Sequence, residues 1–182
     1  VALLTIAFCM MIGNVSKADG IADTLLFYFP NRIVDFMDVF SCELGFGPSL
    51  RAKVWTTRAF GFGGGAGATA KVVKQINRQY GAELEEGWCA NFMVISAENQ
   101  EVYDATRGVK TYYYYATGIP LPSEKVYDFY KGARDYWSIG VHAAVMLDIE
   151  GEFHPIEFAD FVTGIFFIDL KGDDFTGDTL RM

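Results

Sequence analysis

From Glu43 to Trp55 the chain reads ELGFGPSLRAKVW, and Arg51, Lys53 and Trp55 alternate with Ala52, Val54 and Thr56. A period of two is the mark of a half-exposed β-strand. Residues 60–72 (FGFGGGAGATAKV) repeat Gly-Phe-Gly followed by Ala-Lys-Val, which predicts a hairpin of two glycine-punctuated strands. Trp88 to Ser96, Tyr112 to Ala116 and Ser138 to Ile149 supply further strand-like runs. A helical period occurs twice. Ile33, Phe36, Met37 and Phe40 share a face opposite Asp35 and Asp38, with Asn31 after Pro30 as an N-cap, predicting a short amphipathic helix near residues 31–41. Residues 155–168 (PIEFADFVTGIFFI) open on Pro155, a favoured first helical position, and their apolar residues nearly surround the axis. The stretch Thr117 to Ser123 and the tail from Lys171 are turn-rich connections. The fold class that follows is α+β, mainly antiparallel glycine-rich β-sheet flanked by two short helices. A small β-barrel is the rival, and it calls for repeated ten-residue alternations.

Composition narrows the field. The 182 residues carry 15 Lys and Arg against 23 Asp and Glu, a net charge of −8, and 51% of them are apolar. That is enough apolar material for a core and too little charge for a disordered tail. An acidic chain is a poor match to phosphate, so no nucleic acid partner is expected. Val1 to Gly13 is an uncharged apolar run, and Val15-Ser16-Lys17-Ala18 places small residues ahead of a cut after Ala18. Residues 1–18 therefore read as a signal peptide or N-terminal anchor whose positive n-region is missing, and 19–182 as a single β-rich domain. Export to a bacterial periplasm or the vicinity of an outer membrane is the expected destination.

In an oxidising compartment Cys42 and Cys89 are the natural candidates for a disulfide, or for buried thiols. Gly61-Phe62-Gly63-Gly64-Gly65-Ala66 fits a loose dinucleotide fingerprint, with a helix starting near Thr69. Export and the absence of repeated βαβ units argue against it, and no cofactor is expected. Glu83, Glu85 and Glu86, with Asp169, Asp173, Asp174 and Asp178, read as a solvated acidic surface without the order of a calcium loop, and no metal is expected. Tyr112, Tyr113, Tyr114 and Tyr115 in one strand must point two rings to each face, leaving a pair for a partner. Phe161, Ile165 and Phe166 belong to a helix too apolar to bury every side within one short element, and are the second interface candidate.

Cys89 in GWCANF, followed by His142 and His154, resembles the order of nucleophile and histidines in NlpC/P60 cell-wall cysteine peptidases. That resemblance implies a cysteine hydrolase with Cys89, His142 and His154 as its catalytic set. The family's Asp-Cys-Ser-Gly is replaced here by Trp88-Cys89-Ala90-Asn91. A wider resemblance covers most of the chain. The D-F-x-D helix at 35–38, G-F-G-P at 45–48, the Asn77 to Glu85 stretch and I-G-V-H…H-P-I-E-F-A-D-F-V-T-G-I-F-F-I-D from 139 to 169 look like uncharacterised exported proteins and lipoproteins of bacterial envelopes. It implies a non-enzymatic structural or accessory subunit of a membrane-associated assembly, meeting a protein partner or further copies of itself, and a lipid interface.

Overall fold

The computed structural model describes residues 18–128 and 131–172. The signal-peptide reading falls, apart from Ala18, outside the described residues, as do Phe129, Tyr130, Asp173, Asp174 and Asp178. The chain divides into two compact units, one holding residues 38–156 and the other the segments before and after it.

The larger unit is an antiparallel sheet of six strands: β1 (Phe40–Thr57), β2 (Phe60–Lys74), β3 (Tyr80–Met93), β4 (Ile95–Asp104), β5 (Tyr112–Gly118) and β6 (Ile139–Phe153). The order across the sheet is β5-β4-β3-β2-β1-β6, with β5 and β6 as its edges, so the sheet does not close into a barrel. The expected α+β class with a mainly antiparallel sheet is what the protein adopts. The hairpin of β1 and β2 forms where the glycine repeat placed it, pairing Leu50 with Ala66 and Lys53 with Gly63. One strand boundary differs from expectation. Trp88 to Ser96 is not a single strand but the end of β3, a turn at Met93 and Val94, and the start of β4. Met93 takes φ 54°, and this reversal in an apolar run carries no Gly or Pro to mark it. The segment from Thr69 continues β2 and is not a helix.

Glycines let the sheet coil tightly. Gly63 and Gly65, with φ of 113° and 155°, face residues 53 and 51 across the hairpin, where a Cβ would run into the β1 backbone. Between Phe46 and Leu50 of β1 the register with β6 slips, and Met146 opposite takes φ 64°. Bulges of this kind bend strands and sharpen their twist. The consequence is long reach: Asp135 and His154, at opposite ends of β6, are hydrogen-bonded to each other.

The smaller unit pairs two helices. α1 (Ala18–Asp38) is far longer than the expected 31–41 element and carries Pro30 inside it, so Asn31 is no N-cap. α2 (Pro155–Gly164) starts at its proline as expected, and gives way to a turn over 165–167. Tyr28 packs on Phe167 with ring centroids 4.7 Å apart, and Phe36 on Phe161 at 5.5 Å. Asp160 accepts the backbone N–H of Leu170 at 2.7 Å, and Lys171 pairs with Glu157 at 2.6 Å, which fastens the chain after the helix. Among the described residues no helix is long and apolar enough to cross a membrane.

Candidate functional site

The sheet of the larger unit has its polarity reversed relative to an ordinary half-buried sheet. Along β1, Ser41, Glu43, Ser49, Arg51 and Lys53 are buried, while Phe40, Leu44, Phe46, Leu50 and Val54 between them are exposed. The same holds on β6, where His142 and Asp148 are buried while Val141, Val145, Leu147 and Ile149 are exposed. The outward-facing side of β1 and β6 holds no charged residue. Leu50 and Val145, a cross-strand pair, are 69% and 71% exposed. A contiguous apolar surface of this kind marks a place where a protein meets lipid or another chain.

Charge gathers on the inner face, and the inward glycines of β2 make room for it. Lys71 is fully buried, its ammonium paired with Glu85, with Glu43 at 3.1 Å, and with Asp148 and Glu150 at 3.5 Å each. Arg51 forms a second ion pair with Glu85, and Glu98 takes Lys53 and Arg134 at 2.9 Å each. Burial disfavours the Lys71 ammonium, yet the surrounding carboxylates outweigh it and hold its pKa well above the usual value. For Glu98, burial pushes the pKa up, but Arg134 and Lys53 prevail and keep it well below the carboxylate range. Glu83 and Glu43 fare differently. Burial, then the neighbouring Glu43, pushes Glu83 up to about 9, and burial, only partly offset by Lys71, pushes Glu43 to about 7. Thus Glu83 keeps its proton at neutral pH. The solvated acidic surface expected of these residues is corrected: Glu83 and Glu85 are buried, and only Glu86 of the three is exposed. Both lie on the inward side of β3, where Lys71 and Arg51 receive Glu85 and the Gln75 amide donates to Glu83 at 3.3 Å.

The ligand oxygens of Glu43, Glu83 and Glu85 lie within 4.8 Å of one another. A cation could be held there only in competition with the Lys71 ammonium, which already occupies that field. The internal cavity bordered by these groups has a volume of about 30 Å³, room for a few waters.

The residues named by the cysteine-peptidase resemblance are dispersed. Cys89 is buried on β3 and His142 lies on β6, with β2 and β1 between them. His142 Nε2 meets Asp148 at 2.9 Å and its Nδ1 meets Glu150 at 3.1 Å. His154 Nε2 meets the Ser41 hydroxyl at 2.6 Å and its Nδ1 meets Asp135 at 2.8 Å. Neither imidazole has a nitrogen turned to the thiol. Burial also pushes the Cys89 thiol up, which keeps it protonated and a weak nucleophile. No disulfide forms: Cys42 and Cys89 are both free, Cys42 exposed on the outer face of β1 and Cys89 on the inner face of β3. Sequence parity could not reveal that the two side chains point to opposite faces.

Of the expected interface residues, Tyr113 and Tyr115 are 63% and 62% exposed, and Tyr112 and Tyr114 turn inward, Tyr114 bonding the Tyr127 hydroxyl at 3.3 Å. Ile165 and Phe166 are exposed in the smaller unit, while Phe161 is half-buried against Phe36. Ser41 and Asp135, the partners of His154, escaped the sequence reading. They lie 94 residues apart in no recognisable motif, and only the coiling of the sheet joins them. Comparison with protein families, with curated proteins and with solved structures gave no match.

Proposed function

We propose that this chain is an exported protein of a bacterial envelope, working against a membrane as a structural or accessory subunit of a larger assembly and not as a cysteine hydrolase. The observation that carries the reading is the reversed sheet. A chain that buries Lys71, Arg51 and Glu98 while leaving Leu50, Val54, Val145 and Leu147 exposed is matched to apolar surroundings. Surrounded by water the arrangement would be costly on both faces. Surrounded by lipid tails at the membrane interface, or by an apolar partner, each face meets what it suits. The exposed Tyr113 and Tyr115, amphipathic rings at the sheet's edge strand, fit the boundary of such a layer.

The test is fractionation of native membranes. The protein is expected to stay with the membrane through high salt and alkaline carbonate, to need detergent for release, and to elute with other envelope components. Peptidoglycan hydrolysis is expected to be nil and unchanged by Cys89→Ala. A monomer stable without detergent, hydrolysing peptidoglycan in a Cys89-dependent manner, would overturn the proposal.

A further inference from the structure

His154 follows β6 directly, and its backbone N–H donates to the Val39 carbonyl at 2.8 Å, so the ring is set by the pairing of β1 with β6. The ring is fully buried and bonded at both nitrogens. On one side stands Asp135, whose Oδ2 lies 2.8 Å from Nδ1. On the other stands Ser41, whose Oγ lies 2.6 Å from Nε2. A carboxylate on Nδ1 fixes the proton on that nitrogen, which leaves the Nε2 lone pair to accept the serine O–H. Asp135 is itself held: its Oδ1 accepts the Trp137 N–H at 2.9 Å, and its carbonyl accepts from Arg58 Nε at 3.3 Å and from the Ser138 hydroxyl at 3.2 Å. The other acid beside the ring, Glu152, is 3.7 Å from Nε2 and is neutralised by its ion pair with Arg58. Nucleophile, base and orienting acid thus stand in the geometry that serine hydrolases share across unrelated folds.

The surroundings of Ser41 give the substrate class. Ser41 borders the polar internal cavity and also an open cleft lined by Phe40, Ile139, Val141 and Phe153, with Gly140 and Gly151 leaving its floor bare. An internal space of about 30 Å³ admits no substrate, so the cleft is the approach. Apart from Ser41 and Glu152 its lining is apolar, and it is continuous with the exposed apolar face of β1 and β6. We propose that Ser41, His154 and Asp135 form a catalytic triad that hydrolyses carboxylic esters of long acyl chains, the acyl chain lying in the cleft between Phe40, Val141 and Phe153.

In the first step Ser41 Oγ attacks the ester carbonyl carbon while Nε2 takes the hydroxyl proton. The tetrahedral intermediate then expels the alcohol, which receives that proton from the imidazolium, and the acyl group remains on Oγ. Water, deprotonated by Nε2, attacks the acyl-serine. The carboxylic acid leaves and Ser41 recovers its proton, so atoms and charge balance with water as the only co-reactant. Asp135 stabilises the imidazolium in both halves without giving up its own charge. This activity goes beyond the membrane role proposed above and does not depend on it.

The experiment uses the full chain in mild detergent, first with a tagged fluorophosphonate and then with p-nitrophenyl esters of acyl chains from short to long. The wild-type protein is expected to be labelled at Ser41, as read by peptide mass spectrometry, and to cleave long-chain esters in preference to short ones. Ser41→Ala is expected to lose both, and Asp135→Asn to lower turnover by about 10⁴-fold with labelling slowed in parallel. Labelling of the wild type is independent of whether any variant folds. No labelling of well-folded wild-type protein, labelling at a different serine, or esterase activity that survives Ser41→Ala would each overturn the proposal, and His154 would then be a buried ring with two structural partners. Membrane fractionation of Ser41→Ala separates the two readings, since loss of esterase activity leaves membrane attachment untouched.

Discussion

On β1, Arg51 and its neighbour Leu50 sit one residue apart and live in opposite worlds. The Arg51 side chain is buried in an ion pair with Glu85, whereas Leu50 is 69% exposed beside Val145. The inner region is organised by electrostatics. Each charge there has lost water and is compensated by neighbours at fixed positions, so changes to it are felt as uncompensated charge. The outer region is organised by what surrounds the protein. Its residues contact little within the chain, so changes to them are felt in partitioning and not in folding. The difference teaches that a strand's period assigns residues to faces without saying which face is inside.

The sharpest way to break the inner region is Lys71→Met. It removes the ammonium shared by Glu43, Glu85, Asp148 and Glu150 while retaining the length and bulk of the side chain. Stripping one partner from a buried network of charges costs about 3–5 kcal/mol, and urea or thermal denaturation should register it as a large loss of stability. A change below about 1 kcal/mol would mean that the carboxylates relax to solvent and that the interior is less dry than the reversed sheet requires.

The outer region is broken by the pair Leu50→Ser and Val145→Ser. Because both side chains face outward, denaturation midpoints in detergent should move by no more than about 0.5 kcal/mol. Binding to lipid vesicles should fall steeply. Full burial of such a side chain contributes about 1.5–3 kcal/mol, so two chains immersed to about half that extent account for about 2 kcal/mol, or roughly 30-fold in the partition coefficient measured by flotation. If flotation is unchanged while stability drops, these residues pack inside an assembly and not against lipid.

Much of the sheet was legible because alternation is local. The pairing of β1 with β2, the tyrosines divided between faces on β5, and the start of α2 at Pro155 all follow from neighbours a few residues apart. What escaped depended on sense or distance. The period of two put Arg51 and Lys53 on one face of β1 without saying whether that face is inside, and nothing in the local pattern marks a sheet that turns its charged face inward. The early start of α1 was hidden by Pro30, which reads as a boundary and here lies within the helix. The constellation at His154 was invisible because Asp135 comes from the β5–β6 connection and Ser41 from the far end of the neighbouring strand. The cysteine reading failed for the converse reason: Cys89, His142 and His154 follow a suggestive order in the chain, but the two imidazoles are claimed by Asp148, Glu150, Asp135 and Ser41.

The finest test of the inner region is its response to pH. Glu83 and Glu43 have pKa values raised to about 9 and about 7, from an ordinary value of 4.5. Between pH 4.5 and about 9 the folded protein therefore holds protons that the unfolded chain has released. Stability must fall as pH rises through that window, because the unfolded state binds fewer protons than the folded one. Glu98 acts in the opposite sense, its lowered pKa making a contribution that is present above pH 4.5 and lost as the pH drops further. Together they place the stability maximum near pH 5, with a decline on both sides. Glu83→Gln keeps the shape and the hydrogen-bonding capacity of the protonated carboxyl but cannot ionise. The variant should match the wild type near pH 5 and exceed it by a margin that grows as the pH rises toward 9, where the buried carboxyl of the wild type begins to lose its proton. Parallel denaturation curves at pH 5, 7 and 9 measure this, and a wild-type stability that rises toward pH 9 would show that Glu83 ionises freely and that Lys71 already neutralises the whole cluster.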